Sequence, residues 1–197
     1  MKNSQIKKFL TILIIVVIAL IIFRQNPVMK EYNDYHREAY KHWVDADGDC
    51  QNTRQEVLIL ESLEKVILDE KNCKVLSGKW YDPYTDQYFT DPKDLDIDHF
   101  VPLKEVDRSG GSSWDLDKKM RYANDLNDAE VLIAVSKIAN RSKGDKDPSE
   151  WMPSNEKYRC EYVENWVLVK KKWGLFMDEK EKSFIEDKQK NCLKVLH

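Results

Sequence analysis

The chain has 197 residues, with 32 Lys and Arg against 35 Asp and Glu and a formal net charge of −3. This length allows one well-buried domain and excludes two substantial domains beside a membrane segment. A hydrophobic share of 42% excludes global disorder. The net negative charge excludes a uniformly basic surface, so any phosphate-binding surface must be local.

The N-terminus carries a targeting segment. Lysines precede an apolar run from Phe9 to Phe23 that only Thr11 interrupts. A run of about 15 residues suits a signal-peptide core better than a membrane crossing of roughly 20. No small-x-small cleavage site follows the run, however. We therefore expect an uncleaved signal-anchor at residues 1–23, with a cleaved signal peptide as the alternative, and an extracytoplasmic location for the rest of the chain.

The cysteine pattern agrees with export. Cys50, Cys73, Cys160 and Cys192 form an even set without a CxxC pair. In an oxidising compartment such a set favours two disulfides over zinc ligation. Three pairings are possible, and we expect Cys50 with Cys73 and Cys160 with Cys192, because each bridge then joins neighbouring elements. Four buried free thiols are the alternative.

Hydrophobic periodicity and turn residues predict a mixture of helices and strands. A polar tether or leading helix at residues 24–40 precedes a folded domain at residues 41–197. The first half is predicted to contain a helix at 53–68 capped by Asn52 or Thr53, a strand-like stretch at 74–81, a hairpin turn at 82–86 and a strand at 95–101. A long loop with a short helix at 116–122 follows. The second half is predicted to contain a strand at 131–135, a short helix capped by Ser136 and ended by Gly144, and two closing helices at 155–173 and 178–192.

Two short motifs contain the residues suited to catalysis. The run DIDHFVP begins at Asp96, and alternation along its strand points Asp96 and Asp98 to the same side, with His99 at the strand end. Alone, this run is also typical of a satisfied polar pair. The run NRSKGD begins at Asn140, on the helix that follows the next strand.

Together the motifs form a strand, a loop, a second strand and a helix, with DH on the first strand and Asn on the helix. In this arrangement the chain resembles the HNH endonucleases of the GmrSD type and their exported relatives. The similarity extends over residues 42–192 and includes DGDC at 47–50, the pair Thr53-Arg54, and the stretches 78–90, 94–103 and 132–145. It implies an α+β fold with a ββα-metal (HNH) core and additional helices, and metal-dependent hydrolysis of DNA phosphodiester bonds.

The resemblance also implies roles for single residues. Asp98 and Asn140 would ligate one divalent cation, His99 would be the general base, and Asp96 would be an auxiliary ligand. Oxygen donors suit Mg²⁺ or Mn²⁺. A neutral imidazole can take a proton from water near physiological pH.

The chain departs from the HNH pattern at one position. The middle member is usually Asn or His and supports the general base, but Val131 occupies the matching position here. A main-chain carbonyl at Val131, or Asn124 or Asn127 in the preceding loop, would then have to orient His99. This departure leaves a second function open, a catalytically inactive, exported DNA-binding module of the same fold.

Three cations are predicted to contact phosphate. Arg54 offers a bidentate fork and Lys143 a point charge, with Arg141 in the same NRSKGD run as Lys143. A solvated surface position is the alternative for Arg54 and Lys143. The expected partner is DNA, with RNA as an open alternative, and the oligomeric state is not predicted.

An Asp-rich stretch resembles a calcium loop without completing it. Asp45, Asp47, Asp49 and Glu56 occupy the first, third, fifth and twelfth positions of the calcium-loop pattern. Cys50 stands where that loop requires Gly. We therefore expect a turn stapled by Cys50 here rather than a Ca²⁺ site.

Overall fold

The computed structural model describes residues 35–127 and 130–195. The predicted signal-anchor at 1–23 and the first part of the predicted tether lie outside the described residues. Within the described ranges, no helix combines the length and the apolar character needed to cross a lipid bilayer.

The described part of the chain is a mixture of short strands and helices, which confirms the α+β class. The strands are β1 Ile67–Leu68, β2 Val75–Ser77, β3 Trp80–Asp82, β4 Gln87–Phe89, β5 Leu95–His99 and β6 Leu132–Ser136. The α-helices are α1 Thr53–Leu60, α2 Leu103–Arg108, α3 Leu116–Ala123, α4 Lys137–Lys143, α5 Arg159–Trp173 and α6 Glu179–Val195. The strands form three antiparallel pairs, β1 with β2, β3 with β4, and β5 with β6.

Helix α1 begins as predicted and ends earlier. The side chain of Asn52 accepts a hydrogen bond from the Gln55 N–H, which caps the helix start. The predicted continuation to residue 68 is wrong, because the Leu63 N–H donates to the Lys79 carbonyl at 2.7 Å and turns the chain away. Leu60 is 68% exposed, so no core contact holds another helical turn there.

Two further segments differ from the prediction. The predicted tether extends to residue 40, yet Tyr40 is fully buried and its hydroxyl donates to Asp107 at 3.0 Å. Helix α2 lies in a stretch that the sequence predicts as loop. The prediction misses this helix because six residues are too few to show a clear helical period. Its buried Leu103 and Val106 pack against the core.

An aromatic cluster forms the centre of the core beneath β5. The ring of Tyr84 lies 6.3 Å from that of Phe100 and 5.6 Å from that of Tyr162, and all three side chains are at most 1% exposed. Buried aromatic side chains supply large apolar areas and hold their neighbours in fixed positions. The cluster is therefore a rigid base for the end of β5.

Both predicted disulfides are confirmed. Cys50 is bonded to Cys73, which ties the segment before α1 to the entry of β2. Cys160 is bonded to Cys192, which ties α5 to α6.

Candidate active site

The pairing of β5 with β6 brings the two motifs together. Asp96 lies opposite Val135 and His99 lies opposite Leu132, so the start of β5 is next to the end of β6. The Ser136 side chain then accepts from the Ala139 N–H and starts α4. Helix α4 consequently begins beside β5.

Asp98, His99 and Asn140 line one cavity of about 390 Å³. Its rim also carries the cations Arg37, Lys104 and Arg141. A larger cavity of about 510 Å³ lies elsewhere, around Glu61, Tyr81 and Tyr158, and contains none of the motif residues. The smaller cavity is therefore the candidate active site.

The Asp98 carboxylate is buried and held at one oxygen. Oδ2 accepts from the Tyr84 hydroxyl at 2.8 Å and from the Lys143 ammonium at 2.5 Å. Among the described residues no hydrogen-bond donor contacts Oδ1, so one carboxylate oxygen remains available at the cavity. Burial raises the pKa of Asp98, and the positive charge of Lys143 opposes that shift.

Lys143 does not lie at the surface, where a phosphate contact was expected. Its side chain is fully buried, and its ammonium also donates to the His99 carbonyl at 3.1 Å. The ammonium therefore lies beneath the cavity and joins α4 to the end of β5. This position is that of a structural ion pair.

The His99 ring is buried and hydrogen-bonded to the main chain. Nε2 lies 3.0 Å from the Ala123 carbonyl, which can only accept, so Nε2 carries the proton and Nδ1 keeps its lone pair. Trp43 and Tyr122 place their ring centroids 5.6 Å and 6.2 Å from the imidazole. The pKa of His99 is lowered to about 3, chiefly by burial and in part by nearby positive charges that include Arg37.

The carbonyl that holds His99 is not one of the expected groups. The Val131 carbonyl accepts from the Phe100 N–H at 3.0 Å. The Asn124 side-chain oxygen accepts from the Val44 N–H at 3.1 Å, so it binds the segment before α1. The last residue of α3, Ala123, takes the position beside the imidazole. Nothing in the sequence of α3 marks its terminal carbonyl for this contact.

Asn140 and its neighbours surround Asp96. The Asn140 Nδ2 lies 3.4 Å from Asp96 Oδ2, a long hydrogen bond, and among the described residues no donor contacts the amide oxygen. The Arg141 guanidinium lies 3.6 Å from the same carboxylate oxygen. Asp96 therefore lies beside the cavity rather than on its lining.

Residues 52–186 match the family model described as "GmrSD restriction endonucleases, C-terminal domain". The chain belongs to this family. A protein of Arthroderma benhamiae described as an uncharacterized secreted protein is 35% identical over 158 residues, which cover 80% of this chain and 76% of that protein. No solved structure matches the chain.

In this GmrSD C-terminal domain, Arg54 stabilises the main chain. Its guanidinium donates to the Pro92 and Leu95 carbonyls, each at 3.0 Å, and so fixes the start of β5. It does not line the cavity that contains Asp98. The predicted phosphate contact through Arg54 therefore has no counterpart in this geometry.

Tyr84 is a site residue that the sequence does not reveal. It lies in the turn between β3 and β4, where the run DPYTD is typical of an ordinary hairpin turn. Its hydroxyl reaches Asp98 across 14 residues of sequence. The packing of its ring in the aromatic core places this hydroxyl at the site.

The Asp-rich stretch forms a surface turn. Asp45, Asp47 and Asp49 are exposed, and their ligand atoms lie within 4.8 Å of one another. The Asp45 carboxylate accepts from the Gly48 and Cys50 N–H groups at 2.8 and 3.0 Å. These bonds are those of the expected turn, and no independent observation indicates a bound ion.

Proposed function

We propose that this GmrSD C-terminal domain is an exported, metal-dependent endonuclease of the HNH type that hydrolyses DNA. Membership of a nuclease family supports a nucleic-acid substrate. The observation that carries the proposal is one cavity lined by Asp98, His99 and Asn140, with a free carboxylate oxygen beside a neutral imidazole.

The local architecture supports an HNH core. β5 and β6 are antiparallel and α4 follows β6 directly, which is the order of a ββα unit. Asp98 and His99 lie at the end of the first strand, and Asn140 lies on the helix. The three side chains thus occupy the motif positions from which the resemblance assigns their roles.

The oxygen donors at the cavity fit a small, hard cation. Asp98 Oδ1 and the Asn140 amide oxygen would be the ligands, since each is an oxygen that no donor contacts among the described residues. Mg²⁺ or Mn²⁺ accepts such a partial ligand set and completes it with waters and phosphate oxygens. When bound, the cation would stabilise negative charge on the phosphate and on the leaving oxygen. Lys143 and Tyr84 hold Asp98 for this task by bonding its other oxygen.

His99 has the protonation state that a general base requires. The Ala123 carbonyl fixes the Nε2–H, so Nδ1 is the atom that would accept a proton from the attacking water. Because the ring is neutral, it is ready to accept a proton without first losing one. The Ala123 carbonyl would thus orient His99, as an Asn or His side chain does at the middle motif position of other HNH endonucleases.

An extracytoplasmic location is part of the proposal. Two disulfides are typical of an oxidising compartment, and the Arthroderma relative is described as secreted. We propose that residues 1–23 either anchor the chain in a membrane or are removed on export.

A catalytically inactive DNA-binding module is the second candidate. The observation that favours it is the burial of His99, whose side chain is 6% exposed and covered in part by Trp43. A base so enclosed needs a water to enter between it and the phosphate. Both candidate functions predict DNA binding, but only the endonuclease predicts DNA cleavage.

A cleavage assay separates these functions. The full chain with Mg²⁺ or Mn²⁺ should nick or linearise plasmid DNA, and EDTA should abolish the reaction. His99→Ala should lower the rate by roughly 10²- to 10⁴-fold while DNA binding persists. Because the pKa of His99 is lowered to about 3, the base stays neutral and should not limit the rate anywhere between about pH 6 and 9.

The controls decide between catalysis and folding. Asp98→Asn should remove most activity, whereas Asp117→Asn, on the exposed start of α3, should leave the rate unchanged. Thermal melting of each variant reports whether it is folded. A folded wild-type chain that binds DNA but cleaves neither single nor double strands with either metal would establish the inactive module instead.

A further inference from the structure

The cations at the rim of the cavity differ in how they are paired. Lys104 forms an ion pair with Asp145 at 2.9 Å, and Arg141 lies 3.6 Å from Asp96. Arg37 also lines the cavity. Across residues 35–127 and 130–195, no carboxylate forms an ion pair with Arg37. Within the described residues it is therefore the lining cation whose charge no carboxylate neutralises.

A neutral tyrosine lines the same cavity as Arg37. Burial raises the pKa of this residue, Tyr35, and the positive charge of Arg37 opposes that shift. A tyrosine hydroxyl can occupy one donor of a guanidinium and leaves the remaining donors of the fork free. Arg37 thus keeps the planar pair of N–H groups that phosphate oxygens accept.

The backbone that carries Arg37 is fixed to the domain. The Arg37 carbonyl accepts from the Tyr40 N–H at 3.0 Å, and Tyr40 is fully buried. The Lys41 carbonyl accepts from the Asn124 side chain at 2.7 Å, which ties the segment to the end of α3. The backbone is therefore anchored to the domain within four residues of Arg37, which keeps the base of this side chain beside the cavity.

We propose that Arg37 binds a phosphate oxygen of the nucleic acid, at or next to the bond that is cut. This inference rests on the proposed nuclease function and adds a substrate-binding residue to it. Arg37 precedes residues 52–186, the part matched by the family model. The stretch from Tyr35 to Lys41 is then part of the active site of this chain and not only part of the predicted tether.

The test compares matched arginine variants of the full chain. Arg37→Ala should lower kcat/KM for a DNA oligonucleotide by about 10- to 100-fold, the usual effect of losing a charge-assisted hydrogen bond. Arg37→Lys should restore part of the loss, because it keeps the charge without the fork. Arg121→Ala is the control, since Arg121 is exposed on α3, pairs with Asp117 and does not line the cavity.

Salt dependence provides a second readout that a structural role would not change. Arg37→Ala should reduce the slope of log Kd against log salt for the same oligonucleotide by about 0.7 to 0.9, as expected for one lost phosphate contact. Arg121→Ala should leave that slope unchanged. Equal kcat/KM and equal slopes for the two alanine variants would overturn the role of Arg37.

The outcomes also separate this inference from the proposed function. If the wild-type chain does not cleave, the nuclease proposal fails, and oligonucleotide binding decides the role of Arg37 by itself. Weaker binding by Arg37→Ala but not by Arg121→Ala would then retain Arg37 as a phosphate contact. A melting temperature for Arg37→Ala equal to that of the wild type excludes unfolding as the cause.

Discussion

The Asp98 side chain depends on two partners that lie far from it in sequence. Tyr84 and Lys143 both bond Oδ2, so the carboxylate can neither rotate nor exchange its oxygens freely. A buried ion pair contributes little net stability when intact, but removing one partner strands a charge. The pair therefore positions Asp98 more than it stabilises the fold.

Lys143→Met should destabilise the protein by about 3 to 5 kcal/mol, because it leaves Asp98 buried without its ammonium partner. Adding Asp98→Asn should recover part of that loss, since the stranded charge is removed. Urea unfolding of the two single variants and the double variant measures the coupling. Lys146→Met, at an exposed position, is the control.

Additive effects of Lys143→Met and Asp98→Asn would contradict a coupled pair. In that case the buried ammonium would owe its position to its bond with the His99 carbonyl instead.

At the scale of elements, one carboxylate links α1 to the strand pair of the site. Glu61 follows the last residue of α1, and its Oε2 accepts from the Ala134 N–H in β6 at 2.8 Å. Burial raises the pKa of Glu61 to about 7, while the bond to Ala134 opposes that rise. The contact thus holds β6 in register but gives this link a dependence on pH.

Proton binding by Glu61 decides whether stability rises or falls with pH. Between the unfolded pKa of 4.5 and the folded value of about 7, folded Glu61 binds a proton that the unfolded chain has lost. Its contribution to stability is present below pH 4.5 and is lost as the pH rises through 7. From pH 5 to pH 8 the free energy of unfolding should fall by about 2 to 3 kcal/mol more in the wild type than in Glu61→Gln.

Denaturant titrations at each pH give this difference directly. Glu64→Gln is the matched control, because Glu64 is exposed and pairs with Lys79 at the surface. Stability curves that run parallel for the wild type and Glu61→Gln would show that Glu61 is ionised throughout.

For the whole molecule, the closing helices are tied to the core by a buried ion cluster. The Lys170 ammonium lies 2.7 Å from Glu105 and 2.6 Å from Glu181, and so joins α5 to α2 and α6. Lys170 is 1% exposed and cannot contact DNA from this position. The bridge between Cys160 and Cys192 holds the same two closing helices together covalently.

Replacing Cys160 and Cys192 together by Ser should lower the free energy of unfolding by about 3 kcal/mol, the loop-entropy effect of one bridge. Neither cysteine lines the cavity, so the folded variant should cleave DNA at the wild-type rate. Unfolding curves and cleavage rates below the melting transition check the two halves of this prediction. Alkylation of the native wild type should find no free thiol, and labelled cysteines there would contradict the bridges.

The sequence by itself determined the features that depend on short segments. The Ser136 cap, the end of α4 at Gly144 and the β3–β4 turn follow from local hydrogen bonding and backbone preference. The same holds for the assignment of His99 to a strand end and of Asn140 to a helix. Spacing within a few residues is enough for each of these predictions.

Only the tertiary structure decided which distant groups meet at the cavity. The bond from His99 to Ala123 spans 24 residues, and the pair of Asp98 with Lys143 spans 45. Such contacts depend on how helices and strands pack. The sequence around one partner does not indicate which distant residue it will contact. For this reason the sequence selected Arg54, which supports the main chain, whereas packing brings Arg37 to the cavity.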